Sequence, residues 1–260
     1  MDRTVDITFL GTCACDFSPL LDTVYKNIFD KDARRSSSML IDGSMLVDCG
    51  IHTLESLSIL GIEYASIGDI FITHLHDDHF NADHIAEIAK MRSVPLNLWI
   101  SDSADIEPIP NVKIIKMAPC VSYFVKEGVE LIGLPAIHDE SSCPQHLLIK
   151  CHGKKIFYGC DGAWIQNRTY YFLHRSELDM AVLDCTVGDY EGDYRIAEHN
   201  SIPMLRAMLP SLRSFGIITD RTMVYFSHLA PSLHRPHMET VEIARPMGAQ
   251  VAYDGLALQL

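Results

Sequence analysis

His74-Leu75-His76-Asp77-Asp78-His79 puts three histidines and two aspartates within six residues. An apolar run, Asp69-Ile70-Phe71-Ile72-Thr73, precedes it and a helical pattern follows, so the stretch reads as a strand-to-helix turn. Imidazole and carboxylate are both good donors to borderline divalent metals. So many donors exceed the needs of one ion and suit two. Histidines two apart share a face at the end of a strand, so His74 and His76 address one position. Asp78 and His79, on the turn beyond, face a second. The bland alternative is a polar turn with solvated histidines, which does not account for the density of ligating side chains.

The same device recurs downstream. Leu131 to Ile137 is an apolar run that delivers His138, Ile156 to Cys160 delivers Asp161, and Val224 to Ser227 delivers His228. Strand-end loops are where a rigid scaffold presents reacting groups. Alone, His138 or His228 would read as a hydrogen-bonded histidine of core or surface, and Asp161 as a turn former before Gly162. Beside the cluster at 74 to 79 they supply the ligands that two metals still need. We therefore expect His74, His76 and His138 on one ion, Asp78, His79 and His228 on the other, and Asp161 shared, with Gly162 giving its backbone latitude.

Composition narrows the partners. Lys and Arg number 21 against 34 Asp and Glu, a formal net charge of -13. Tracking a long phosphate backbone relies on clustered basic residues, so long RNA or DNA is an unexpected partner and a small anionic substrate held by metals is the expected one. No stretch reaches the roughly 18 to 20 apolar residues of a membrane span. The opening Met1 to Asp6 is unlike a signal peptide, so a cytoplasmic location is expected. The eight cysteines lack CxxC pairs, with only Cys13-x-Cys15 closely spaced. They are expected to be mostly small buried hydrophobes rather than a disulfide framework.

With no linker, repeat or low-complexity tract, residues 1–260 are expected to form a single domain. Strands are expected at Thr4 to Leu10, Ser37 to Ile41, Met45 to Asp48 and Ile70 to Thr73, with a hairpin at Asp42-Gly43. Ile51 to Leu60 and the segment containing Ala82, Ile85, Ile88 and Ala89 read as helices. Further strands are expected at Leu96 to Ile100, Lys113 to Lys116, Ser122 to Val125 and Val129 to Leu134. A hairpin around His152-Gly153 follows. Met180 to Leu183 (strand), Ser201 to Leu212 (helix), Met223 to Phe226 (strand), Met238 to Met247 (helix) and Gln250 to Ala252 (last strand) complete the reading. The expected fold class is α+β, with two central sheets and helices outside; a doubly wound parallel sheet is the alternative.

At this point the chain resembles the metallo-β-lactamase superfamily. The full His-x-His-x-Asp-His pattern stands at 74 to 79, and His138, Asp161 and His228 follow in the family's order. The resemblance implies a four-layer αββα sandwich of two mostly antiparallel or mixed sheets, with a dinuclear site at one edge. Within the superfamily the chain is most similar to the phosphodiesterase branch, which includes PhnP-like cyclic phosphodiesterases and tRNase Z. That likeness rests on Gly11-Thr12, on Arg34-Arg35-Ser36-Ser37-Ser38 and on Glu198-His199-Asn200-Ser201. It implies that His199 is the general acid. Phe17 to Asp32 replaces the cysteine-rich insertion of PhnP-like enzymes and could lid the site or pack against another subunit, so a homo-oligomer is compatible with the sequence.

The activity so implied is hydrolysis of a small phosphodiester by a metal-bridging hydroxide. His199, Asp78 and Asp161 are the catalytic candidates, and zinc is the expected metal, with manganese and iron as alternatives. Asp77 and Asp184 are candidates to orient ligating imidazoles from behind. His52, Asp139 to Ser142, His234, Arg235 and His237 are candidate pocket groups, or else parts of a helix start and ordinary polar loops. Arg34 and Arg35 are candidates to anchor structure through carboxylates. Rival functions are hydrolysis of a lactone, β-lactam or thioester, di-iron redox chemistry, and a metal-stabilised binding protein without turnover.

Overall fold

Residues with both faces covered read as near-continuous apolar runs, and the short strands of this chain do so. A computed structural model describes residues 3–16 and 30–260. The expectation for Phe17 to Asp32 therefore lies, but for its last three residues, outside the described residues. Strands β1 (Asp6–Gly11), β2 (Ser38–Ile41), β3 (Met45–Val47), β4 (Asp69–Phe71), β5 (Leu96–Ser101) and β6 (Val112–Met117) lie in one sheet. Strands β7 (Ser122–Lys126), β8 (Val129–Pro135), β9 (Gln145–Cys151), β10 (Lys154–Gly159), β11 (Met180–Asp184), β12 (Met223–Ser227) and β13 (Gln250–Val251) form the other. β14 (Ala257–Gln259) returns to the first sheet beside β1.

Each sheet is antiparallel in one half and parallel in the other. In the first, β14-β1-β2-β3 run antiparallel and β3-β4-β5-β6 parallel. In the second, β7-β8-β9-β10 run antiparallel and β10-β11-β12-β13 parallel. Side chains alternate across this sandwich as a period of two requires. Phe9, Met39, Ile41, Met45 and Val47 enter the core between the sheets, where Leu131, Leu147, Ile149 and Val182 meet them. Leu10, Leu40 and Leu46 point the other way, under helices α1 (Thr53–Ile59) and α2 (Ala82–Lys90). Behind the second sheet lie α3 (Asn167–Phe172), α4 (Ile202–Ser214) and α5 (His237–Ala244). The fold is α+β, with four layers in the order αββα.

Local chemistry explains the turns and caps. Asp42 and Gly43 both take positive φ, 48° and 62°, at the β2–β3 hairpin, and His152 and Gly153 do the same, 49° and 87°, between β9 and β10. Paired left-handed residues match the twist of the flanking strands. Ser201 caps α4 by accepting from Met204 N at 3.3 Å, and Ile202, Leu205, Leu209 and Leu212 form its buried stripe.

Two expectations are corrected. Gln250–Val251 is not the last strand, because β14 follows it, and α3 was not foreseen. Both are short and decided by docking: β14 gains its ladder from β1 (Asp6 opposite Gln259), and α3 packs on β8 through Thr169 Oγ1, which donates to Pro135 O at 2.6 Å. A single doubly wound sheet is excluded by the two separate sheets.

Candidate metal centre

The strands carrying the histidines and aspartates end on the same rim. β4 leads through Ile72 and Thr73 to His74, β8 to His138, β10 to Asp161 and β12 to His228. All seven residues picked from the sequence are brought together there. His74, His76, His138 and Asp161 form one group of converging donor atoms; Asp78, His79, Asp161 and His228 form another. His74 Nε2 lies 3.0 Å from His76 Nδ1 and 3.1 Å from Asp161 Oδ2, and His138 Nε2 lies 3.1 Å from His76 Nδ1. In the second group His79 Nε2 is 3.1 Å from His228 Nε2, 3.3 Å from Asp78 Oδ2 and 3.4 Å from Asp161 Oδ2. Asp161 Oδ2 is also 3.4 Å from His228 Nε2, so one oxygen faces both groups.

These spacings fit a pair of cations. With metal–nitrogen and metal–oxygen bonds of about 2.0–2.2 Å, two ligands of a tetrahedral ion stand about 3.3–3.5 Å apart. Imidazole nitrogens facing one another at such distances, and Asp78 Oδ2 buried without a hydrogen bond among the described residues, are what a cation would satisfy.

The backbone is strained where the candidate ligands are presented. Asp161 (φ 57°), His228 (φ 59°) and Asp48 (φ 60°) all sit in the left-handed region, each at a cost of order 1–3 kcal/mol that the surrounding packing must offset. Gly162 is not among the residues of positive φ; the unusual conformation belongs to Asp161 itself. Gly162 is needed for space instead, because a Cβ there would stand 2.6 Å from His146 Nε2. Gly50 serves the ligand loop likewise: a Cβ would fall 1.8 Å from Asp78 O.

Behind the candidate ligands stand two fully buried carboxylates. Asp48 Oδ2 is 2.8 Å from His79 Nδ1, while its Oδ1 accepts from Thr73 N at 2.8 Å. Asp184 Oδ2 is 3.2 Å from His228 Nδ1 and 3.3 Å from His199 Nδ1, and its Oδ1 accepts from Asn200 N at 2.8 Å. Each holds the Nδ1–H of an imidazole and leaves Nε2 free to face inward. Asp184 thus lies where expected. Asp77 does not: it is exposed on the turn, and Asp48 takes the place behind His79. The signal for Asp48 was available, since Met45-Leu46-Val47 delivers it as other apolar runs deliver Asp161 and His228. Thr73 and Thr186, whose hydroxyls lie 3.0 Å from His74 Nδ1 and 2.9 Å from His228 Nδ1, were missed as well.

His199 joins this network through Nδ1, 3.0 Å from Asp161 Oδ1. Burial opposes its charge, yet hydrogen bonds to Asp161 and Asp184 push its pKa up to about 11. Burial likewise opposes charge on His228, but Asp161 and Asp184 push it to about 9. His74 goes the other way, to about 3, because burial and the neighbouring His79 outweigh Asp161. Burial works to raise Asp78, but His79 and His228 hold it well below the usual carboxylate range.

The remaining candidates divide. His52 precedes α1 and its Nδ1 accepts from Ser36 N at 3.2 Å, a helix-start position. Asp139 lies half-exposed, with Oδ2 3.4 Å from His76 Nε2. The loop after His228 is anchored rather than solvated: His234 Nε2 donates to Cys185 O at 2.7 Å, and buried His237 meets Arg34 Nη2 at 3.0 Å. Arg235 stays exposed and pairs with Glu239. Arg34 and Arg35 are structural, bonded to Thr12, Ala252 O, Glu55 and Asp254. No disulfide joins the eight cysteines among the described residues.

The family model described as anti-Pycsar protein Apyc1 matches residues 27–94, a stretch that includes His74 to His79. Ribonuclease Z of Mycolicibacterium gilvum (strain PYR-GCK) is 30% identical over 146 residues, covering 54% of this chain and 43% of that protein. The chain thus spans less than half the length of the curated relative. Among solved structures, a diphosphatase from the PhnP family superposes with TM-score 0.78 at 21% identity, covering 99% of this chain and 98% of that one. YhfI from Bacillus subtilis, a metallo-β-lactamase fold protein, superposes with TM-score 0.74 at 15% identity, over 99% of this chain and 100% of that one. No helix among the described residues is long and apolar enough to cross a membrane. With its two half-antiparallel sheets and outer helices superposing over 99% of its length on such structures, the chain has the metallo-β-lactamase fold.

Proposed function

We propose that this chain is a dinuclear metal hydrolase, a single catalytic domain that cleaves a small phosphodiester. His74, His76 and His138 would hold one divalent cation and Asp78, His79 and His228 the other, with Asp161 common to both. Bound there, such a pair supplies a water acidified toward neutral pH and a Lewis acid for a phosphoryl oxygen. The donor set of imidazole and carboxylate suits zinc best, and accommodates manganese or iron.

The chain's own residues do the rest. Asp48 and Asp184 keep His79 and His228 in the tautomer whose Nε2 lone pair faces the centre. Asp161 and Asp184, both within 3.3 Å of His199 Nδ1, hold the ring in place and keep a proton on it. His199 is thereby a positioned acid for a departing alkoxide. That placement is the observation that carries the phosphodiester reading, because the alkoxide leaving a phosphodiester must gain a proton as its bond to phosphorus breaks. Similarity to a PhnP-family diphosphatase and to ribonuclease Z points the same way. The charge of -13 weighs against long nucleic acid, while the likeness to a ribonuclease keeps RNA in the test. A cytoplasmic setting suits eight cysteines that form no disulfide among the described residues.

Metal-loaded protein should be assayed side by side on bis-p-nitrophenyl phosphate, a lactone panel and a transfer-RNA precursor. The expected outcome is phosphodiester turnover that falls about 10²- to 10⁴-fold in His199→Ala at unchanged metal content. Unchanged turnover in that variant removes the acid role, faster lactone than phosphodiester hydrolysis selects the carbonyl reading, and metal binding without any turnover selects a binding protein.

A further inference from the structure

At the opposite end of the sandwich a second group of metal-binding donors converges. β10 runs from this end toward Asp161, so its six residues put about 20 Å between the two rims. Asp42, in the β2–β3 turn, belongs to the first sheet. Cys151 and His152, at the end of β9 and in the turn that follows, belong to the second. Cys151 Sγ lies 3.9 Å and His152 Nε2 3.4 Å from the same oxygen, Asp42 Oδ2, and the three donor atoms all lie within 4.8 Å of one another.

We propose that Asp42, Cys151 and His152 form a mononuclear site for a thiophilic divalent cation, zinc above all, which ties the two sheets together at the rim remote from the candidate centre.

Bond lengths of about 2.3 Å to sulfur and 2.0–2.2 Å to nitrogen and oxygen give a tetrahedral ion edges of about 3.4 Å (N to O) and 3.6 Å (S to O), close to those seen. The donors are also held for the purpose. Asp42 Oδ1 accepts from Asp6 N at 2.9 Å, which turns Oδ2 toward the other two. Gly128, at φ 75°, makes room for the imidazole: a Cβ there would stand 2.6 Å from His152 Nδ1, so the ring lies against it and presents Nε2 to Asp42. The Cys151 thiol is fully buried and donates to Asp42 Oδ2, so the sulfur already faces the oxygen with which it would share a cation.

Two basic side chains lie nearby. Arg3 Nη2 reaches Asp42 Oδ2 at 3.5 Å, but that side chain is 67% exposed and such pairs are easily given up. Lys126 Nζ donates to Ser44 Oγ at 3.0 Å. As the metal–sulfur bond forms, the thiol proton leaves to solvent. Burial, then Asp42, push that thiol up to about 11, so binding strengthens as pH rises. A fourth position would be left to water.

The test uses the full chain loaded with zinc or cobalt(II). His152→Asn is the main variant, since asparagine tolerates the left-handed turn position; Cys151→Ala is the second, and Cys15→Ser controls for the exposed thiol. Cobalt-loaded wild type and Cys15→Ser should both show a near-ultraviolet thiolate-to-cobalt charge-transfer band. His152→Asn and Cys151→Ala should lose it and bind one zinc equivalent fewer than wild type. Absence of the band from wild type, its loss in Cys15→Ser with retention in His152→Asn, or equal zinc content in wild type and His152→Asn would each overturn the proposal. None of these readouts depends on the hydrolase reading.

Discussion

Replacing Asp184 by asparagine should weaken one of the two expected cations and leave the other nearly untouched. Asp184 Oδ1 accepts from Asn200 N at 2.8 Å and Thr186 N at 3.1 Å; Oδ2 faces His228 Nδ1, His199 Nδ1 and Thr186 Oγ1 at 3.2, 3.3 and 2.9 Å. The two backbone amides would hold the asparagine carbonyl in the Oδ1 position and turn its NH₂ toward the imidazoles. A donor then meets the Nδ1–H of His228, which must shift its proton to Nε2 and so lose the inward lone pair, or rotate away. Carboxylates in such positions contribute about 10- to 100-fold in metal affinity, or about 1.4–2.8 kcal/mol. Because His228 belongs to the group with Asp78 and His79, the loss should fall on that cation alone. Chelator-competition titration of metal-free protein with zinc, in a His152→Asn background that removes the remote site, should show two binding phases, one weakened by Asp184→Asn and one preserved. Two unchanged phases, with circular dichroism confirming the fold, would refute the orienting role of Asp184. Weakening of the His74–His76–His138 phase instead would refute the division of ligands.

Three further outcomes are expected. His146 is wholly buried with neither ring nitrogen hydrogen-bonded among the described residues, and burial lowers its pKa to about 4. Below pH 6.5 the unfolded chain takes up a proton that the folded one refuses, so stability present above 6.5 is lost as pH falls toward 4, by up to about 3 kcal/mol; urea unfolding of metal-free His146→Leu should show a flatter acid limb, and an unchanged limb would count against it. Gly50→Ala forces a Cβ to 1.8 Å from Asp78 O, so the ligand turn must move by more than 1 Å, on the order of 3 kcal/mol of stability and weaker metal binding at the Asp78 group; a wild-type melting curve and metal titration together would disprove the close approach. Ser201→Ala removes the cap of α4 and should cost about 1 kcal/mol in thermal unfolding, whereas no shift would mean that Met204 N finds another acceptor.

The sequence by itself singled out the candidate donors and the rim on which they stand. Ligating side chains must leave the chain where an apolar strand ends, and that rule, applied to local runs, selects His74 to His79, His138, Asp161 and His228 without any long-range information. The alternation of buried faces is equally local, so the sheets were legible where strands were several residues long. What the tertiary structure alone decided depends on partners far apart in the chain. Asp48 rather than Asp77 supports His79, because β3 lies beside β4 and brings its end within 2.8 Å of the ring. Gly162 proved to be a matter of space against His146, sixteen positions away, and not of its own dihedral angles. β14 exists because β1 offers it a ladder some 250 residues earlier. Asp42 meets Cys151 and His152 only because the two sheets stack, and the charge of a buried imidazole is set by whichever carboxylates the fold brings to it. Local runs decide which groups leave a strand; packing decides what each one faces.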